Sequence, residues 1–200
     1  MIEITAPAVV DEDFFQLVLD HLKIDAGDPE DTYEDPGDAA LLPLVEHYVE
    51  AAIGQVEACS GRALFKRTCK LTLDRFSTAV TLPESPVIEV KSVQYIGTDG
   101  ATVTLDPADY VLIDRLNKPS LFPAYGKSWP AVRAFPGSVS ITFDAGYGEG
   151  ADDIPAPLRQ AVLMTCADWF RFGGNVATVA LHGIPDDAYR ACQPFRREWQ

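Results

Sequence analysis

The hydrophobic period of this chain changes twice, and that change limits the folds open to it. Apolar residues recur at helical spacing up to Ser60: Phe14, Leu17, Val18 and Leu22 in one run, then Leu41, Leu42, Val45, Tyr48, Val49, Ala52, Ile53 and Val56 in a second. From Arg67 the period becomes two, with Leu71 and Leu73 alternating with polar neighbours and Val80 and Leu82 following before Pro83. Val87 to Ile96 and Ala101 to Leu105 flank Thr98-Asp99-Gly100, a hairpin signal because glycine tolerates the positive φ of a tight turn. Tyr110–Ile113 and Val139–Phe143 read as further strands, and the stretch from Pro119 to Pro136, rich in proline and aromatics, reads as irregular. Helical spacing returns after Pro155-Ala156-Pro157 with Leu158, Ala161, Val162, Thr165, Trp169 and Phe172, and a short helix follows Ile184-Pro185-Asp186.

The expected fold is therefore α+β: a helical bundle formed by N- and C-terminal helices with an inserted small antiparallel β domain of about five to seven strands. Residues 1–66 and 149–200 form the helical part, and 67–148 the insert. Asp11 or Asp13 is expected to cap the first helix, which runs from Asp11 to Lys23; the second spans Ala39 to Ser60 and stops at Gly61. Glu46, Glu50 and Glu57 lie off its apolar stripe, on the face expected to be wet.

Charge is unevenly placed. Residues 1–60 hold fifteen carboxylates and one base, Lys23, so the whole net charge of −14 lies in that third. It is densest in an acidic, Gly- and Pro-interrupted loop at 25–38, with Asp25, Asp28, Glu30, Asp31, Glu34, Asp35 and Asp38. A chain with no basic cluster gains little from neutralising phosphates, which excludes a conventional DNA-gripping role. No apolar run approaches the roughly 18 residues that cross a bilayer, and no basic stretch followed by an apolar core marks a secretory signal. Membrane insertion and a cleaved leader are thus not expected.

A catalytic set is not visible. The histidines, His21, His47 and His182, form no HxxxH or HExxH spacing, and Cys59, Cys69, Cys166 and Cys192 form no CxxC pair. Neither metal nor cofactor is expected, and the thiols read as small apolar packing groups. Cys166 with His182 would need a base in reach and a lowered thiol pKa, neither supplied locally. The glycines of Gly146-Tyr147-Gly148-Glu149-Gly150 lack the Lys-Ser/Thr pair of a phosphate loop, and Glu149, Asp152 and Asp153 would repel phosphate, so a strand-to-helix connector fits better. The chemistry left is that of an interface. Tyr189, Arg190, Phe195, Arg196, Arg197 and Trp199 combine arginine with aromatics, the types enriched at interface hot spots, although the same residues would also serve to close a helical core.

The ordered motifs resemble a known family. Val56, Glu57, Ser60, Gly61, Arg62 and Leu64 are similar to its helix-ending signature; Leu82-Pro83, Pro86-Val87, Val90, Ser92, Val93 and Tyr95 to its strand entry. Asp99-Gly100, Tyr110, Trp129-Pro130, Ala145-Gly146-Tyr147-Gly148, Ile154-Pro155, Asp168-Trp169-Phe170 and Gln193-Pro194-Phe195-Arg196 follow in its order. Together they resemble the head–tail connector (adaptor) family of tailed bacteriophages and gene transfer agents, over about residues 40–197; Ala191-Cys192 replaces its usual leucine pair. The resemblance implies a helical bundle with an inserted β domain, a virion neck location, and a non-enzymatic ring of twelve copies beneath the portal vertex. It also implies contacts with the portal protein and with a stopper or tail-completion protein, and a channel that passes DNA without reading its sequence. The portal-docking segment maps onto Gln193, Pro194, Phe195 and Arg196; Arg197 and Trp199 extend it by composition.

Two other functions remain open on the residues alone. One is another neck or tail-completion component that contacts the tail instead of the portal. The other is a carbohydrate- or host-binding module in which Trp129, Tyr125 and Phe122 stack on sugars, although loops of this composition also bury aromatics to stay ordered.

Overall fold

The computed structural model describes residues 1–23, 41–115, 118–172 and 183–196. The fold is mixed α+β, with antiparallel sheets. The chain divides into two compact units, one of residues 1–9 and 65–147, the other of 10–64 and 148–200.

The first unit is built on a five-stranded sheet of β1 (Ile2–Ala6), β2 (Arg67–Leu73), β8 (Val139–Ala145), β4 (Val87–Ile96) and β5 (Thr102–Thr104), in the order β1-β2-β8-β4-β5. β3 (Val80–Thr81), β7 (Lys118–Pro123) and β6 (Tyr110–Arg115) make a second, three-stranded sheet. Every pairing is antiparallel. The period of two does its work on the first sheet. Cys69 and Leu71 stand opposite Phe143 and Ile141, and all four side chains are buried. The β4–β5 hairpin turns at Asp99-Gly100, where Gly100 has φ +85° and the Asp99 carboxylate accepts the Ala101 N–H at 3.0 Å.

Two expectations need correction here. Residues 2–6, grouped above with the helical part, form strand β1. Their signal is only five residues long and every one is exposed, so no buried alternation reveals it. Residues 118–123, read as part of an irregular stretch, form β7, paired with β6 from Tyr110↔Pro123 to Arg115↔Lys118. The prolines fit because the short β3 stands opposite only Ser120 and Leu121; Pro119 needs no donor there, its carbonyl accepting the Leu82 N–H at 2.8 Å.

β8 carries the one buried carboxylate of the described residues, Asp144. Lys91 Nζ lies 2.7 Å from Oδ1, the Thr68 hydroxyl donates to the same oxygen at 2.7 Å, and Lys66 Nζ is 3.9 Å from Oδ2. Burial alone would raise its pKa, but the hydrogen bonds from Lys91 and Thr68, with the two positive charges, hold it below the usual carboxylate value. A carboxyl with a depressed folded pKa stabilises above its unfolded pKa and loses that contribution as pH falls through the folded value. Asp144→Asn is therefore expected to cost about 2 kcal/mol at neutral pH. The cost should begin to shrink below about pH 4, where the carboxyl of the unfolded chain protonates, and shrink further as pH falls through the lower folded value. Urea titrations of both proteins between neutral and acid pH would show the gap closing; a gap independent of pH would contradict the assignment.

The second unit contains α1 (Glu12–Leu22), α2 (Leu42–Ser60), α3 (Ala156–Phe172) and α4 (Asp186–Cys192), with 3-10 turns at Ala151–Asp153 and Gln193–Phe195. α3 packs against the other three helices, and α2 also touches α1 and α4. The apolar stripes meet as their spacing requires: Phe14, Val18 and Leu19 of α1; Val45, Val49, Ala52 and Val56 of α2; Leu158, Ala161 and Val162 of α3, all essentially without solvent exposure. Tyr48 and Trp169 meet edge to face at 6.4 Å. Pro43 sits in the first turn of α2, where its missing N–H leaves no gap. Asp11 stands at the first N-cap but does not cap. Its carboxylate instead accepts the Ala151 N–H at 3.3 Å, tying the start of α1 to the turn before α3. Asp152 pairs with Arg159 at 2.6 Å, and Asp153 accepts from Gly150 at 3.1 Å, so the carboxyls of this connector are used structurally.

Candidate docking site at the terminal turn

The segment singled out for docking begins where α4 ends. Asp186–Cys192 is helical, and Pro194 converts the continuing chain to the 3-10 turn Gln193–Phe195. Gln193, Pro194 and Arg196 are exposed and Phe195 is half-buried. Arg197 and Trp199 lie outside the described residues, as do the acidic loop 25–38 and His182.

What holds this turn is the end of α2, and its sequence explains why. Gly61 takes the left-handed conformation (φ +68°) that a helix stop needs and donates to the Glu57 carbonyl at 2.8 Å. Ser60, buried, satisfies its hydroxyl on the Val56 carbonyl at 2.8 Å and receives the Arg62 N–H at 3.3 Å. Glu57, expected on a wet face, is half-buried. Its Oε1 accepts the Leu64 N–H at 2.7 Å, which fixes the path of the chain leaving the helix. Arg62, only 7% exposed, is thereby aimed so that its Nε–H donates to the Phe195 carbonyl at 2.9 Å. One charge-assisted bond thus joins residues 133 positions apart.

Beside this bond lies a cavity of about 330 Å³, lined by Gln55, Ala58, Cys59 and Gly61 at the end of α2 and by Ile184, Tyr189 and Arg196. The Arg196 guanidinium donates to the Tyr189 hydroxyl at 3.2 Å across its rim. The structure thus brings Tyr189, Phe195 and Arg196 together. Arg190 instead pairs with Asp187 on its own helix, at 3.6 Å between well-exposed side chains. Arg62 was visible in the motif but was not read as part of the site, because a sequence does not say that the end of α2 and residue 195 meet.

The thiols behave as packing groups. Cys69, Cys166 and Cys192 are buried, and burial pushes Cys166 up to about 12, its Sγ pointing to the Tyr48 carbonyl at 3.7 Å. Burial, with Cys59 alongside, also pushes Cys192 up to about 12. Such thiols hold their protons at neutral pH and are poor nucleophiles. Among the described residues no group of three or more His, Cys, Asp or Glu side chains could hold a metal, and no helix is long and apolar enough to cross a membrane. Of the aromatics considered for sugar stacking, Trp129 has one ring face against Phe76, stacked at 4.5 Å and within 5° of parallel, and Phe76 also meets Tyr95 edge to face. Tyr125 is fully exposed. Trp129 therefore serves the β unit's own packing.

No protein-family model and no curated protein matches the chain. Solved structures do. A chain in the virion of a native gene transfer agent particle matches with a TM-score of 0.71 and 25% identity, covering 100% of this chain and 97% of that one. A chain in the neck of an empty gene transfer agent particle, computed with C6 symmetry, matches with a TM-score of 0.71 and 24% identity over 100% of this chain and 97% of its own. Another, in the neck of a native particle computed with C12 symmetry, gives 0.67 and 24% over 98% and 97%. These matches run the length of the chain, and they agree with the resemblance that the motifs carry: the protein has the fold of chains in the virion and neck of gene transfer agent particles.

Proposed function

We propose that this protein is a structural, non-enzymatic component of a virion neck, a head–tail connector that assembles as a ring under the portal, joins capsid to tail and lets DNA pass. The observation that carries the reading is the full-length likeness to chains from gene transfer agent virions and necks, two of them in neck structures computed with six- and twelvefold symmetry. The net charge of −14 suits a conduit, since a wall that attracted phosphates would slow the passage of DNA.

The portal contact is assigned to the terminal turn, Gln193, Pro194, Phe195 and Arg196, continued by Arg197 and Trp199. Exposed Gln193, Pro194 and Arg196 offer contact surface, and the Arg62 bond to Phe195 holds the turn in one orientation before binding. Pre-ordering of this kind lowers the entropic cost of association. A stopper or tail-completion protein on the opposite side completes the partner set.

The test is native mass spectrometry of the protein alone and mixed with the portal protein of the same particle. A ring-sized assembly is expected with portal, and its loss on truncation after Cys192. If the full-length chain forms no assembly with portal at low or moderate salt, the connector reading fails. A tail-side neck component then becomes the better description.

A further inference from the structure

The five-stranded sheet ends on both sides in a strand with a free outer edge among the described residues. The hydrogen-bond phase shows which backbone groups point outward. At one end, the Met1 N-terminal nitrogen donates to the Thr72 carbonyl at 2.9 Å and the Thr72 N–H to the Met1 carbonyl at 2.8 Å. An antiparallel ladder alternates bonded and non-bonded pairs. Glu3, opposite Lys70, therefore faces inward, and the N–H and C=O of Ile2 and Ile4 face the open edge of β1. At the other end, Gly97 N–H bonds the Ala101 carbonyl and Leu105 N–H the Val93 carbonyl, each at 2.8 Å. That phase turns Val103 inward toward Tyr95 and points the backbone groups of Thr102 and Thr104 out from β5.

The side chains tell the same story. By register, Ile2 and Ile4 share the sheet face of Leu71 and Cys69, and Val103 shares the face of Tyr95 and Val139. Because Leu73 stands opposite Val139 and lies two residues from Leu71, these are one face. In its middle, Cys69, Val139, Ile141 and Phe143 are fully buried. At its two rims, Ile2, Ile4 and Val103 are 38%, 49% and 39% exposed. The apolar face of the sheet thus runs out to both open edges, where half-exposed apolar side chains without charge on that face stand beside outward-facing backbone groups that a further strand can pair with.

The geometry points to an interface between copies in which the open edge of β1 in one subunit meets the open edge of β5 in the next, joining the sheets head to tail. A second copy is the occupant because one foreign strand would fill one edge only, whereas identical copies fill both. A ring built by a heterologous contact needs two different surfaces on each subunit, and opposite ends of one sheet supply them. With every neighbouring pair antiparallel, β1 and β5 run in the same direction. The new pairing is therefore parallel, with Ile2 and Ile4 abutting Val103 of the adjacent copy. This inference rests on the ring reading above and adds the contact that closes the ring.

Ile4→Pro removes one outward N–H while leaving the bonded positions of β1 with β2 intact. The expected result is an at least tenfold fall in ring-sized species with portal, at fixed concentration and with an unchanged melting temperature. In parallel, the Ile4→Cys/Val103→Cys double variant, oxidised by copper phenanthroline in air, is expected to give a ladder of linked subunits absent from each single variant. If Ile4→Pro unfolds, the ladder alone decides. Wild-type rings with Ile4→Pro, or a double variant that links no more than the singles, would overturn the edge-to-edge contact and leave the connector reading standing. Absence of any ring from the wild-type chain would sink both, and the wild-type lane distinguishes the two failures.

Discussion

Gly146→Ala is expected to lower the melting temperature by roughly 6–12 °C, corresponding to about 3 kcal/mol. Gly146 follows β8 with φ +126°, a conformation that a side chain disfavours. A Cβ built there would lie 2.5 Å from the Phe65 carbonyl oxygen and 2.8 Å from the Lys66 Cα. Both neighbours are backbone at the entry to β2, and Gly146 N–H is itself held by the Pro86 carbonyl at 2.9 Å, so neither side can yield cheaply. The glycine is thus the point at which three segments of the β unit close on one another. Gly54, exposed in the interior of α2, gives the opposite result. A Cβ there meets nothing within 4 Å, and Gly54→Ala is expected to stabilise by about 0.5–1 kcal/mol. Differential scanning calorimetry of the two variants checks both signs. A small effect at Gly146 would mean that the close approach to Phe65 relaxes easily.

Arg62→Ala should separate folding from docking. Loss of the bond to the Phe195 carbonyl and of a nearly buried side chain is expected to cost about 2 kcal/mol of stability. The larger effect is on assembly: a turn no longer held at Phe195 must be ordered at the moment of binding, and portal affinity should fall at least tenfold. Arg62→Lys keeps the charge but lacks the planar fork that aims the Nε–H, and should recover stability more than affinity. Calorimetry for stability and a portal titration for affinity read the two quantities independently. Equal, proportionate losses in both would reduce Arg62 to a packing residue.

The helices were legible because each buries a stripe against another and therefore repeats at 3.6 residues; Val45, Val49, Ala52 and Val56 could hardly be read otherwise. The β4–β5 hairpin was equally clear from Asp99-Gly100. β1 was not, because its five exposed residues bury nothing. β7 was obscured by Pro119 and Pro123, whose missing donors matter only if the opposite strand needs them, and that depends on a register no local pattern encodes. In the candidate site, Gln193 to Arg196 were readable as composition plus resemblance. The residues that orient them, Glu57 and Arg62, were readable only as a helix stop, because their second function depends on a contact 133 positions away in the chain. Asp144 gave no warning at all, since a lone acid on a strand looks solvated until its lysines are placed.

The division of the chain into residues 1–9 with 65–147, and 10–64 with 148–200, has a consequence for biosynthesis. Every segment of the β unit has been translated by residue 147, so that unit can fold while the remainder is still being made. The helices α1 and α2 must wait, for α3 and α4, which cover their apolar stripes, come last. The turn at 193–195 is later still. A nascent chain therefore has its sheet finished before the turn at 193–195 exists, and an incomplete chain that is released early carries a finished sheet but no turn anchored by Arg62.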